Sequence, residues 1–204
     1  MMIQIDRNLP KEKIDEIGHG IADAFFDYQY AYGEKGMLGF FTTRESMYIF
    51  MRAVFEAYVR SGCAWQTEKG EGFLLMTDTE GYRISLMNTV KQMIAESSAL
   101  GGLMKMIEYG TLSSRDGGTL DQEMFERQAE HLSIDILAVL EPYQHQGFMR
   151  EMMEFAYSKA EKTGMMVALE TDDASKAAKY QHLGMILYRT RNCGEGYHVY
   201  DLIR

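Results

Sequence analysis

The chain holds only two cysteines, Cys63 and Cys193, and only two prolines, Pro10 and Pro142. The cysteines lie far apart, and no CxxC pair or Cys/His cluster accompanies them. That spacing argues against a structural zinc site, whose ligands come in close pairs. No metal is expected, and the cysteines read as reduced thiols in a cytoplasmic protein rather than as a disulfide. No run of 18 apolar residues occurs, so neither a membrane span nor a membrane partner is expected. Residues 1–7 lack the basic start and apolar core of a signal peptide. Runs of Lys and Arg are also missing. With 21 Lys and Arg against 30 Asp and Glu, the net charge is −9. Such a chain repels phosphate backbones, so no nucleic acid partner is expected. Internal repeats and low-complexity segments are absent.

What remains is a chain long enough to bury a real core. Its 17 methionines suit either core filling or a pliable apolar pocket. Residues 2–5 read as a short strand. Residues 11–26 read as a helix, with Ile14, Ile17, Ile21, Ala24 and Phe25 at helical spacing. An aromatic, Gly-bearing stretch follows, then a second helix over 44–61 with Thr43 as N-cap. Residues 62–66 and 71–77 form a hairpin around 67–70. Residues 84–109 are helical with a break near Gly101-Gly102, 113–118 a loop, and 120–129 a short helix. The pattern then becomes strand 131–140, helix 147–162, strand 165–169, helix 173–183, and a hairpin of 185–190 with 198–203. Strands separated by helices predict an α/β layering with a partly parallel sheet.

One turn carries chemistry. Between strand 131–140 and the next helix stands Glu141-Pro142-Tyr143-Gln144-His145-Gln146-Gly147-Phe148-Met149-Arg150. A strand feeding a helix through a Gly-bearing turn leaves amides unpaired at the helix start. With the helix dipole, those donors make a phosphate site. Arg150 either adds a charge-assisted bond or faces solvent. The turn is neither a Walker A loop nor a dinucleotide fingerprint.

The segment Leu137-Ala138-Val139-Leu140-Glu141-Pro142-Tyr143-Gln144-His145-Gln146-Gly147-Phe148-Met149 resembles the acetyl-CoA motif of the GNAT superfamily of N-acetyltransferases. That motif is usually Q/R-x-x-G-x-G/A after a strand of the type L-x-V-x-P. Lys179-Tyr180-Gln181-His182-Leu183-Gly184-Met185 is similar to the family's Y-x-x-L-G-F signature. Two departures stand out: Met149 replaces Gly or Ala, and Met185 replaces Phe. The resemblance implies an α/β (α+β) fold in one domain over 1–204, a GNAT-like central mixed sheet flanked by helices. Residues 1–129 would be a helix-rich N-terminal part with the acceptor-side helices, and 130–204 the acyl-CoA-binding core. It implies acetyl-CoA as cosubstrate, with the pantetheine along Leu137, Ala138 and Val139. The pyrophosphate would sit on the amides of Gln144, His145, Gln146, Gly147, Phe148 and Met149. The reaction implied is direct transfer of an acetyl group to an amine of a small molecule or peptide.

Tyr180 falls at the family's general-acid position; otherwise it is a core tyrosine. Phenol and thiol pKa values are close enough for proton transfer to a leaving thiolate. The family's base is often a Glu on the strand, and Ser133 stands near that place. His131 and Asp135 flank it and can substitute, or serve as a strand-end residue and a structural carboxylate. By alternation, His131, Ser133, Asp135, Leu137 and Val139 share one face, and Leu132, Ile134 and Ile136 the other. Asp172 and Asp173 start a helix; Lys176 and Lys179 touch CoA phosphates or face solvent. In the aromatic stretch, Phe25, Phe26 and Phe40 read as core, while Tyr28, Tyr30 and Tyr32 alternate and one of them can point into an acceptor site. Three readings follow: an active N-acetyltransferase, a GNAT-fold module that has lost catalysis, or a relative using a longer acyl chain with Leu103-Met104-Lys105-Met106 lining its pocket. A homodimer built on the N-terminal half stays open.

Overall fold

A computed structural model of the chain describes residues 1–30, 33–194 and 196–204. Its elements follow the sequence pattern closely. Strand β1 (Met2–Gln4) precedes helix α1 (Lys11–Phe26), and α2 (Arg44–Ser61) follows a short 3-10 turn at Met37–Phe40. Thr43 caps α2 in a capping box with Ser46, and Gly62 ends it in the left-handed region at φ 76°. Next come β2 (Ala64–Thr67), β3 (Gly72–Asp78), and helices α3 (Leu86–Ala99), α4 (Leu103–Ser113) and α5 (Leu120–Glu126). The break expected at Gly101-Gly102 separates α3 from α4. The second half is β4 (His131–Val139), α6 (Phe148–Thr163), β5 (Met166–Thr171), α7 (Ala174–His182), β6 (Ile186–Gly194) and β7 (Tyr197–Ile203).

All seven strands join one sheet in the order β1-β2-β3-β4-β5-β7-β6. The β4–β5 pair is parallel and its other neighbouring pairs are antiparallel. One face packs Phe73, Leu75, Ile136 and Ala138 against α1 and α2, around Ile14, Ile21, Met51 and Phe55. The opposite face packs Trp65, Leu74, Met76, Leu132 and Ile134 against α6, around Met152, Met153 and Ala156. Cys63 and Cys193 are free, buried, and in separate clusters.

Two features of β4 place the site. First, β4 pairs with β5 only through His131–Ile134, against Met166–Leu169. Beyond Ile134 the strands part, so residues 135–139 keep a β5-facing edge that no strand occupies. Second, the β3 register passes from Leu75↔Ile136 to Met76↔Ile134, leaving Asp135 as an extra residue. This bulge corrects the simple alternation. Leu137 and Val139 lie on the α6 face with Leu132 and Ile134, while Ile136 lies with Ala138 on the α1/α2 face. An inserted residue shifts the period-2 pattern by one, so every side chain after it changes face.

Candidate functional site

The β4–α6 turn exposes its amides. His145 and Gly147 both adopt positive φ, 64° and 91°. Left-handed residues in a turn swing successive N–H groups toward one side. Among the described residues, none of the amides of residues 145–150 has an acceptor, and α6 starts without a side-chain cap. A Cβ on Gly147 would meet nothing within 4 Å. Glycine serves the backbone angle here, and the space before it is open.

A cleft of 260 Å³ lies against this turn. Leu137, Ala138, Val139, Gln144, His145, Gly147, Phe148 and Met149 line it, joined by Phe25, Tyr28, Lys176, Lys179 and Tyr180. Thus most of the residues expected around acetyl-CoA come together. Gln146 instead points out and donates from Nε2 to the Pro142 carbonyl at 3.0 Å. Arg150 lines a separate groove with Tyr157 and Arg204. The half-buried Met149 packs against the α6-side core and also borders the cleft.

A second cavity of 380 Å³ opens where β4 and β5 part. Its wall includes Tyr58 of α2, Glu96 of α3, Tyr109 of α4, Asp121 of α5, and Ser133 and Asp135 of β4. Glu170, Asp172, Lys176, Tyr180 and Tyr197 also line it. Phe25, Leu137, Lys176 and Tyr180 line both spaces, so the two meet there. Tyr180 is 8% exposed, and its hydroxyl has no hydrogen-bond partner among the described residues. Burial pushes its phenol well above the ordinary range, with Asp172 adding to the effect.

Asp135 accepts a hydrogen bond from the Thr77 hydroxyl at 2.9 Å and one from Tyr58. Its surface is accessible, but to the water of a cavity that protein surrounds. This enclosure raises its carboxyl to about 7, and the negative charge of Asp121 contributes. Asp121 accepts from Ser133, and its Oδ1 lies 3.4 Å from His131 Nε2. Burial pushes Asp121 up, but the bonds from His131 and Ser133 outweigh it and hold the carboxyl below its usual range. His131 also places Nδ1 2.9 Å from the Ala129 carbonyl. Its ring is buried behind the cavity wall with both nitrogens engaged, and the bond to Asp121 raises its pKa. Glu170 is raised to about 7 by burial, against the Leu120 amide and Arg191.

The segment after α1 ties down the start of α7. The Tyr28 hydroxyl donates to Asp173 Oδ1 at 2.8 Å and the Tyr30 hydroxyl to Asp172 Oδ2 at 2.6 Å. Asp173 also caps α7 through the Lys176 amide. Tyr32 lies outside the described residues. Leu103 and Met104 are exposed, and neither they nor Met106 line these cavities. Sequence reasoning missed Asp121, Tyr58, Glu96 and Tyr197, which reach the cavity from distant elements. The described residues contain no cluster of potential metal ligands and no helix long and apolar enough to cross a membrane.

The fold is a mixed sheet whose β4 and β5 part beyond Ile134, with an amide-rich turn following β4. Residues 104–185 match the model of the Acetyltransferase (GNAT) family. That stretch is similar to the GNAT family over the part of the chain that holds β4, the β4–α6 turn and α7. Solved structures agree over the whole chain. An N-acetyltransferase from Staphylococcus aureus Mu50 is 14% identical, with 100% of both chains covered and a TM-score of 0.56. A polyamine N-acetyltransferase from Drosophila melanogaster, which forms N-acetylagmatine, is 12% identical over 100% of this chain and 98% of that one, with a TM-score of 0.57. Arylalkylamine N-acetyltransferase 2 from Aedes aegypti is 10% identical over 100% and 96%, with a TM-score of 0.53. At such identities the likeness is one of fold. No curated protein matches the sequence.

Proposed function

We propose that the protein transfers an acetyl group from acetyl-CoA to an amine of a small molecule or peptide. The observation that carries this reading is the meeting of two spaces at Tyr180 and Leu137. One is floored by unpaired amides, and the other holds a carboxyl poised near neutrality. The pyrophosphate would rest on the amides of the 145–150 turn, helped by the α6 dipole. The pantetheine arm would pair with the free edge of β4 at residues 137–139, as a strand pairs. Its thioester would then reach the junction with the inner cavity.

An acceptor amine arrives as an ammonium and must lose a proton before its lone pair can attack. Asp135, directly or through one water, takes that proton; a carboxyl near 7 suits this task at neutral pH. The new C–N bond forms at the thioester carbonyl, and the C–S bond then breaks. Tyr180 donates its proton to the departing sulfur and regains one from the amine side. Burial raises the tyrosine, but it also raises a thiolate formed in the same place, so the two stay matched. His131 serves as a positioning residue, holding Asp121 beside Asp135.

The test is calorimetric titration of acetyl-CoA into the protein and into Gly147→Trp, followed by amine-dependent release of CoA. Binding that the substitution abolishes, with turnover, is expected. Binding without turnover of any amine would instead describe a GNAT-fold acyl-CoA-binding module. No binding would overturn the reading.

A further inference from the structure

We infer that the acceptor is a small diamine or polyamine, with one nitrogen at Asp135 and a second, still cationic, nitrogen held at the Glu96 and Tyr197 side of the inner cavity. This deepens the acetyl-transfer reading and rests on it for the role of Asp135.

The wall of that cavity carries five carboxylates, Glu96, Asp121, Asp135, Glu170 and Asp172, against one lysine, Lys176. Most are already answered. Lys176 Nζ lies 3.6 Å from Asp172, Arg191 Nη2 lies 2.8 Å from Glu170, and His131 faces Asp121. Asp135 is left for the reacting nitrogen. Glu96 receives only the side-chain amide of Gln92, at 2.8 Å, and has no cationic partner among the described residues. A sheltered carboxylate without a counter-ion is costly, and an arriving cation removes that cost.

An independent observation comes from Tyr197. It is 4% exposed and lines the cavity, yet its hydroxyl has no hydrogen-bond partner among the described residues. The residue is buried but its side chain borders the cavity, where an incoming group can reach the hydroxyl. The oxygen of Tyr197 can accept from an ammonium, and the ring face of Tyr109, near Glu96, can hold its positive charge. A monoamine would satisfy Asp135 and leave Glu96 and Tyr197 unanswered. An amine carrying a carboxylate would meet repulsion from the wall.

The experiment measures binding of 1,4-diaminobutane and of butylamine by calorimetry, to the wild type, Glu96→Gln and Tyr197→Phe. Acetyl transfer to both amines is measured alongside. The wild type should bind the diamine at least tenfold more tightly than the monoamine. Both substitutions, which preserve shape, should bring the two affinities together, with circular dichroism confirming the fold. Equal affinities in the wild type, no binding of either amine, or a preference untouched in Glu96→Gln overturns the inference. Failure of the transfer reading looks different: the diamine preference and its loss in Glu96→Gln persist, but no amine is acetylated.

Discussion

Asp135 owes its behaviour to the extra residue in β4. The bulge leaves it out of the ladder with β3 and turns it to the cavity, where Thr77 and Tyr58 hold it. If it is the base, kcat/KM should rise with pH through an apparent pKa near 7. Asp135→Asn should lower kcat/KM by about a hundredfold or more and abolish that limb. Glu170→Gln should retain the limb, although Glu170 is raised to a similar value. Stability follows the opposite course. The folded-state pKa lies above the ordinary 3.8 of an Asp, so the folded state holds the proton more tightly. Stability is then highest below the ordinary carboxylate range and declines as pH rises toward 7. Asp135→Asn should accordingly melt at a higher temperature than the wild type at pH 8, with the gain vanishing near pH 4. An equal gain at both pH values would mean that ionisation of Asp135 is not the cause. Tyr180→Phe makes a separate test: as the acid it should lower kcat by roughly tenfold or more while leaving acetyl-CoA affinity nearly intact.

Among elements, the β4–α6 unit is the one whose geometry the function would need most. Gly147→Ala introduces no contact within 4 Å but forces a side chain to φ 91°. It should fold with a loss of about 1–3 kcal/mol in urea denaturation and bind acetyl-CoA more weakly than the wild type. Gly147→Trp should fold similarly and not bind. Much of this unit was legible, because a strand, a Gly-bearing turn and an amphipathic helix each leave a local mark. Helices α1 and α2 were legible to their ends for the same reason: Thr43 and Gly62 are local punctuation. The bulge was not, since Asp135 is an ordinary residue in a strand and no glycine announces it. Alternation along β4 thus misassigned Leu137, Val139 and Ile136. The cavity wall was hidden too. Asp121, Tyr58, Glu96 and Tyr197 sit on three helices and a strand that only tertiary packing brings together. His131 was legible as a polar residue on β4, but its burial behind Asp121 depends on α5, whose packing leaves no local signal.

For the whole molecule, a chain of net charge −9 with a cavity wall of five carboxylates and one lysine surrounds its inner cavity with negative potential. Such a field concentrates cations and speeds their encounter, and dissolved salt weakens it over a Debye length of about 10 Å at 0.1 M. Contacts between partly buried charges inside the cavity are screened less than those between exposed ones. The two contributions should therefore separate with ionic strength. Raising salt from about 10 mM to about 500 mM should lower kcat/KM for 1,4-diaminobutane severalfold, and more than for butylamine, since attraction scales with ligand charge. kcat should change little, as it reports the bound state. Acetyl-CoA should respond in the opposite sense. Its phosphates approach an acidic molecule, so added salt should relieve repulsion and speed its binding, as stopped-flow measurement of the two association rates would read out. If salt slows both ligands alike, the field at the cavity mouth is not the one that the charge of the whole chain implies.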